Sequence, residues 1–473
     1  MATTPSSPQP QAEPSVHKPT ASGLALQLSQ LAQQYCITDW CLAYSGGVDS
    51  QVLLHLLHQI QQQPALHAGF PFNFSAVYID HQLQTESSAW AQHCAQQCTA
   101  LDIRFQSIAV DARANAGESP EAAARVARYG AFKKIIQPGM CLLTAQHQDD
   151  QAETVLIQLL RGAGAAGLSA MPECSEFGEG RHCRPLLSTS QQAIHDYAQQ
   201  HQLKWVEDPS NQLSHYDRNF LRQNIMPVLQ QRWPALNKTL SRFARQQAEN
   251  NELLQQLASI DLQRVQQQDQ SLAIAALKEL NPARARNLLR YWFKTQQASM
   301  PSSAILMQLL QQIQSDNHDN HLCVSWADTE VRRFRDALYL LKQSQHDAKQ
   351  VIAWDGEQVL ELISLDQKLA LIQAVSGSQT PYVLKAEILE QRLSIRFRQG
   401  GERIQPAGRQ GHRDLKKLFQ EAAIPEWQRD RIPLLYAGDQ LAAVVGYWLA
   451  AEWACEGQGV LPCYMTHGGS ADA

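Results

Sequence analysis

The sequence predicts an α/β fold built on a parallel sheet, followed by a helical domain and a small α+β domain. Three changes of texture predict it. From residue 24 to about 230, short β-rich runs alternate with amphipathic helical stretches, the spacing of βαβ units around a parallel sheet. From Trp233 to about Leu341 the chain turns to long Gln- and Leu-rich helical segments, and residues 355–465 mix β-rich runs with one helix. At 473 residues the chain can bury two or three cores. The expected divisions are a disordered tail at 1–22, an α/β domain at 23–232, a helical domain at 233–350 and an α+β domain at 355–465.

In order, the expected strands of the first domain are Trp40–Tyr44, Ala76–Asp80, Ile103–Val110 and Met140–Thr144, with helices at Val52–Gln62, Ser87–Leu101 and Pro120–Ile136. Ligands of such a sheet bind at the carboxyl ends of its strands. Asn281-Pro282 announces a helix in the second domain, and Asp414–Ala423 reads as the helix of the third. The first 22 residues hold five prolines and neither a basic start nor an apolar core, which reads as a disordered tail and not a signal peptide. The longest apolar run, Leu441–Ala451, is about half of the roughly 20 residues a spanning helix needs. It reads as a buried strand, and no membrane partner is expected.

Forty Lys plus Arg against 45 Asp plus Glu give a net charge of −5, so any nucleic-acid surface must be local. The ten cysteines form no C-x-x-C pair and read as reduced thiols of a cytoplasmic protein, with neither a disulfide framework nor a zinc site.

The stretch AYSGGVDSQVLLHLL at 43–57 joins a strand, a glycine bend and a helix start. Free backbone N–H groups and the helix dipole meet at such a bend and attract anions. Glycines let a phosphate approach the backbone, and Ser45 and Ser50 add hydroxyls. No Walker lysine is present. Asp49 beside phosphates would be repulsive alone, and a magnesium ion (Mg2+) between them reverses the sign. The string Ser45-Gly46-Gly47-Val48-Asp49-Ser50 resembles the pyrophosphate-binding loop of the N-type ATP pyrophosphatases.

A second cluster, TAQHQDDQAETVLIQLLRG at 144–162, begins where a strand ends, on the same sheet edge. Asp149 is placed to cap a helix on which Asp150 and Glu153 share an exposed turn while Val155, Leu156, Leu159 and Leu160 face the core. Two carboxylates there, with His147 alongside, could bind magnesium or an amine. Gly162, Gly164 and Gly167 spell G-x-G-x-x-G, but they follow a helix and not a strand, which argues for a helix-terminating loop over a dinucleotide fingerprint.

Paired arginines follow the same logic. Arg125 and Arg128 share a face of the helix within ESPEAAARVARYGAF, and Arg218 and Arg222 stand at i, i+4 after DPSN; near an ATP site they could grip phosphates or an RNA backbone. Between Arg392 and Arg431 ten basic residues outnumber five acidic ones. That segment, with Lys416 and Lys417 on its helix, could contact RNA phosphates. Arg284, Arg286 and Arg290 are a second, weaker RNA candidate.

Together, SGGVDS, AARVARY, H-x-D-D-Q-A-E-T running into LLRGAGAAGLSAM, RPLL at 184–187 and DPSN-x6-RN-x-x-R resemble the tRNA(Ile)-lysidine synthetase family. The resemblance implies a Rossmann-like PP-loop ATPase domain, a helical substrate-binding domain and a C-terminal tRNA-binding domain. It further implies that ATP adenylates C2 of the wobble cytidine of isoleucine tRNA (CAU anticodon) and that free lysine displaces AMP. The loop Ser45–Ser50 would then hold pyrophosphate, Asp49 its magnesium, and Asp150 and Glu153 the lysine, with one of that pair or His147 taking a proton. A homodimer stays open. A tRNA-thiolating enzyme would share the loop but commonly needs clustered reactive cysteines, an amide-forming ligase needs an ammonia source, and a silent RNA binder has no use for carboxylates facing phosphate.

Overall fold

The computed structural model describes residues 18–81, 87–113, 120–207, 217–315, 322–342, 346–365, 367–377, 381–465 and 471–472. The chain forms two compact units, Met1–Gln256 and Leu257–Ala473. The DPSN turn and most of the proline-rich tail lie outside the described residues. Residues 21 and 22, expected in that tail, are helical: the Thr20 hydroxyl accepts the Gly23 N–H at 3.1 Å and starts a helix two residues early.

The first unit runs α1 (Ala21–Tyr35), β1 (Asp39–Ala43), α2 (Val48–Gln62), α3 (Pro64–His67), β2 (Asn73–Asp80), α4 (Ser87–Ala100), β3 (Arg104–Ala109), α5 (Pro120–Ile135), β4 (Met140–Leu143), α6 (Gln148–Leu160), α7 (Ala165–Leu168), β5 (Cys174–Phe177), β6 (Gly180–Cys183) and α8 (Gln191–Gln200). Then come α9 (Asp217–Phe220), a π turn at Leu221–Ile225, α10 (Met226–Arg232) and α11 (Leu236–Val265), whose residues after Gln256 belong to the second unit. The sheet order is β3-β2-β1-β4-β6-β5, parallel throughout except for the β5–β6 hairpin. This is the predicted parallel α/β fold.

One face of the sheet packs against α1, α2, α4 and α8, and the other against α5, whose Phe132 and Ile136 side meets Val77, Ile79 and Leu142. Val52, Leu53, Leu54, Leu56, Leu57 and Ile60 of α2 have no exposed surface. At roughly 1.5–3 kcal/mol for each fully buried side chain, this helix is a firm anchor for the glycine bend before it.

Two readings of the sequence are corrected here. Cys174 and Cys183 are disulfide-bonded, against the expectation of reduced thiols. They face one another in the register of the β5–β6 hairpin, a pairing that a nine-residue separation does not announce. Leu441–Ala451 is a hairpin and not one strand: Gln440–Val444 pairs with Trp448–Leu449, and Gly446 turns the chain with φ +78°.

In the second unit α12 (Ile274–Lys278), α13 (Pro282–Thr295) and α14 (Ser303–Gln314) supply the predicted helices around fully buried Trp292 and Phe293. A four-stranded antiparallel sheet, unanticipated, completes that core: β7 (Leu272–Ala273), β8 (Cys323–Trp326), β9 (Thr329–Phe334) and β10 (Ala337–Lys342), ordered β7-β10-β9-β8. Beyond it two antiparallel sheets pack with the helix Leu415–Glu421. Among the described residues no helix is long and apolar enough to cross a membrane.

Candidate active site

Strand β1 ends at Ala43, and Tyr44 still donates to Val77 O of β2 at 2.9 Å. The chain then turns through Gly46 at φ +80°, a conformation costly for any residue with a Cβ. A Cβ there would also stand 3.0 Å from Cys94 Sγ, so backbone strain and crowding both select glycine. The Ser50 hydroxyl ties the bend together, accepting from Ser45 N–H at 3.3 Å, donating to Gly47 O at 3.0 Å and lying 3.1 Å from Ser45 Oγ. Gly47 caps α2 without a side chain, so the first N–H groups of the helix remain available to an anion.

Asp49 sits in that first turn. Burial raises its pKa above the usual carboxylate range, with His147 opposing the shift. Its Oδ1 is buried without a hydrogen bond, and the nearest cation-capable atom is His147 Nε2 at 3.8 Å.

Helix α6 starts beside it, after β4. Its N-cap is His147 and not Asp149: His147 Nδ1 accepts the Asp149 N–H at 3.2 Å while Asp150 Oδ2 accepts the His147 N–H at 3.1 Å. A capping box built on histidine falls outside the usual Ser, Thr, Asp and Asn preference, so the sequence pattern points to Asp149 instead. Asp149 braces the rim, accepting Gln191 N–H at 2.9 Å and Asn237 Nδ2–H at 2.6 Å. With Nδ1 used as acceptor, the neutral ring carries its proton on Nε2, which points at Asp150 Oδ2 at 3.4 Å.

The buried face of α6 also differs from expectation. Gln151, Ala152, Glu153 and Val155 are buried, while Leu159 and Leu160 are 54% and 77% exposed. Glu153 can go inside because Arg222 meets it with both guanidinium arms, Nε at 2.6 Å and Nη2 at 2.9 Å, and reaches Asp150 Oδ1 at 2.8 Å. Arg218 adds Nε at 3.5 Å from Glu153 and donates to Thr154 Oγ1 at 2.7 Å. Arg222 lies on the π turn that interrupts α9 and α10. Burial still raises the Glu153 pKa, with Arg222 opposing.

Sequence reasoning gave Arg218 and Arg222 to phosphates or an RNA backbone; in the structure Arg222 meets Asp150 and Glu153, and Arg218 meets Glu153 and Thr154, across 64 to 72 residues that no local pattern bridges. Arg125 and Arg128 stand elsewhere, Arg125 over the Tyr129 ring at 4.7 Å and Arg128 donating to His81 Nε2 at 3.0 Å. No described contact joins them to the acid cluster. Gly162 ends α6 at φ +69°, as a helix-terminating glycine should.

In the second unit, Arg284 is pinned by Asp261, which is wholly buried, with Nε to Oδ2 at 3.0 Å; Arg290 is exposed. Within the basic C-terminal segment Arg403 pairs with Asp414 at 3.4 Å, and Arg409 and Arg413 with Glu421 at 3.2 Å. Lys416 and Lys417 are exposed on their helix.

Among the described residues no group of three or more His, Cys, Asp or Glu side chains could by itself hold a metal. The acids do fit magnesium, which binds through one or two carboxylates and completes its shell with phosphate oxygens and water. The orphaned Asp49 Oδ1 is a hard oxygen donor of that kind.

A glycine bend for phosphate at the rim of a parallel sheet, with acids on the neighbouring strand's helix, defines the PP-loop class of nucleotide-using enzymes. The family model described as the PP-loop domain matches residues 21–229. Models described as the TilS substrate binding domain and the TilS substrate C-terminal domain match 272–339 and 393–462. Proteins named tRNA(Ile)-lysidine synthase are similar over most of their length. That of Coxiella burnetii is 40% identical over 89% of this chain and 91% of its own, and that of Alkalilimnicola ehrlichii 41% identical over 88% and 91%. The chain belongs to the tRNA(Ile)-lysidine synthase family.

Arg222→Ala leaves Glu153 buried with only Arg218 beside it, and removing one member of such a pair costs about 3 kcal/mol or more. The Glu153 pKa, already raised, then rises further. A carboxyl with a raised folded pKa is favourable when protonated, so the deficit is full at neutral pH and shrinks as pH falls through that pKa. Urea unfolding of both proteins at pH 7.5 and pH 5 should show the gap narrowing at the lower pH; a pH-independent gap removes Glu153 as its source.

Proposed function

We propose that this chain ligates lysine to the wobble cytidine of isoleucine tRNA (CAU anticodon), consuming ATP and releasing AMP and pyrophosphate. The single observation that carries the mechanism is the meeting at one sheet rim of Asp49, from the glycine bend, with Asp150 around His147, while Arg222 ties Asp150 to Glu153. Bend residues Ser45, Gly46, Gly47, Val48 and Ser50 would cradle the departing pyrophosphate. Asp49 would hold magnesium, which would neutralise phosphate charge when bound.

Cytidine O2 takes the adenylyl group, and the lysine ε-amine then attacks C2 while the C2–O bond to AMP breaks. Lysine arrives as an ammonium, its unperturbed pKa being ~10.4, and cannot attack until it loses a proton. Asp150 and Glu153 favour the ammonium, so they recruit and orient it. Arg222 already engages both acids, so lysine enters by sharing or displacing that guanidinium. Asp150, its Oδ2 already facing the His147 Nε2–H, is the acceptor we assign. His147 Nδ1 is committed to the helix cap, which gives His147 an orienting role. Residue boundaries near 232 and 355 separate the catalytic, helical and C-terminal parts in this reading, with Lys416 and Lys417 on the tRNA backbone.

The direct test incubates the protein with ATP, labelled lysine and a panel of tRNA transcripts. Label should enter only isoleucine tRNA carrying CAU, and absence of label from every tRNA would sink the reading. In single turnover with pre-adenylated tRNA, Asp150→Asn should slow lysine transfer at least about a hundredfold, the lower range for a general base; undiminished transfer removes Asp150 from the second step. Binding of tRNA should weaken steeply with salt, and replacing Lys416 and Lys417 by Ala should flatten the log–log slope by about one for each phosphate no longer neutralised.

A further inference from the structure

Arg184 leaves the sheet where β6 ends, at the same rim as Thr144 after β4. It is 7% exposed. Nη1 donates to Pro172 O at 2.8 Å and Nη2 to His182 Nδ1 at 3.2 Å, while Nε has no hydrogen-bond partner. Among the described residues no carboxylate pairs with it. Burial lowers its pKa, Tyr129 beside it opposes, and the positive Arg125 lowers it further.

His182 supplies no negative charge. Burial first, then Arg184 and Arg125, push its pKa down to about 3, so the ring is neutral. Because Nδ1 accepts from Arg184, Nε2 carries the proton and donates to Thr144 Oγ1 at 2.7 Å; that hydroxyl donates to Gln146. The chain Arg184–His182–Thr144–Gln146 therefore ends one residue before His147. Beside it opens a cleft of about 440 Å³ lined by Tyr129, Lys133, Phe177, His182 and Arg184. The acid on its wall, Glu176, is largely exposed and faces Arg181 at 3.8 Å.

A guanidinium taken out of water beside a second cation, with no counter-ion, is costly unless an anion completes the site. Its planar fork suits a phosphate. We propose that Arg184, together with Arg125 stacked 4.7 Å over the Tyr129 ring that lines the same cleft, forms an anion subsite for a phosphate of the reactants, either an RNA phosphodiester next to the target cytidine or a phosphate of ATP. This rests on the reading of the rim as a site for ATP and tRNA.

The test titrates wild type and Arg184→Gln with ATP and, across a salt series, with tRNA transcript, after circular dichroism has checked the fold. Loss of a charged hydrogen-bond donor should weaken the ligand that uses it roughly tenfold or more, and Arg184→Lys should restore part. Weaker ATP binding with an unchanged tRNA salt slope assigns the nucleotide. Weaker tRNA binding with a slope flattened by about 0.7 assigns a single-stranded RNA phosphate; a merely structural arginine would leave that slope alone. A folded variant that binds both ligands as wild type does overturns the subsite. Should Arg184→Gln fail to fold, Arg125→Gln at an exposed helical position carries the same test with the same outcomes. These are binding measurements, readable even if no tRNA accepts lysine; wild-type failure to bind ATP or tRNA would instead sink the functional reading.

Discussion

The parallel pairing of β1 with β4 is the constraint on which the chemistry depends. Asp39 to Leu42 lie in register with Met140 to Leu143, so both strands release the chain at the same rim. One continues into the glycine bend and α2, the other into His147 and α6. That register brings Asp49 within 3.8 Å of His147 and His147 within 3.4 Å of Asp150, although the two segments lie far apart along the chain. A parallel sheet delivers such proximity without any contact between the motifs in sequence.

Charge is the second organising quantity. Three carboxylates, Asp49, Asp150 and Glu153, share a rim with the guanidiniums of Arg218 and Arg222. The arginines answer Asp150 and Glu153 and leave Asp49 as the acid with an idle oxygen. A cationic ligand or metal therefore finds one carboxylate waiting and two already engaged. Farther along the rim the balance is opposite: among the described residues no carboxylate pairs with buried Arg184. The pocket is thus polarised along the sheet edge, a pattern suited to reactants with both phosphate and ammonium groups.

What could be read from the sequence was what is local. The bend around Gly46 was legible because a strand, two glycines and an apolar helix are adjacent, and the parallel sheet because its elements alternate. The acids at 150 and 153 were found by spacing, but their burial was not. An isolated glutamate reads as exposed, and only a distant arginine reverses that. Leu159 and Leu160 misled because periodicity does not show where a helix outruns its core: Leu160 stands two turns after Glu153 on nearly the same face, yet it is exposed at the end of α6 while Glu153 is buried. The sheet of the second unit was hidden because period-two runs such as Val324, Trp326 and Val331 sit inside a helix-rich neighbourhood. Arg184 carries no local signal beyond the RPLL string, since its meaning lies in what does not surround it.

The π turn at Leu221–Ile225 sets the phase of everything downstream of Arg218. Regular winding advances about 100° per residue, whereas one wide turn holds back that rotation by accommodating an additional residue. Excising a single amino acid there would keep every side chain of the acid cluster yet swing the guanidinium at 222 around the helix axis, away from its carboxylates. The locking of the acid cluster is therefore encoded as much in the count of residues as in their chemistry, and length variation within this short segment would be less tolerated than substitution.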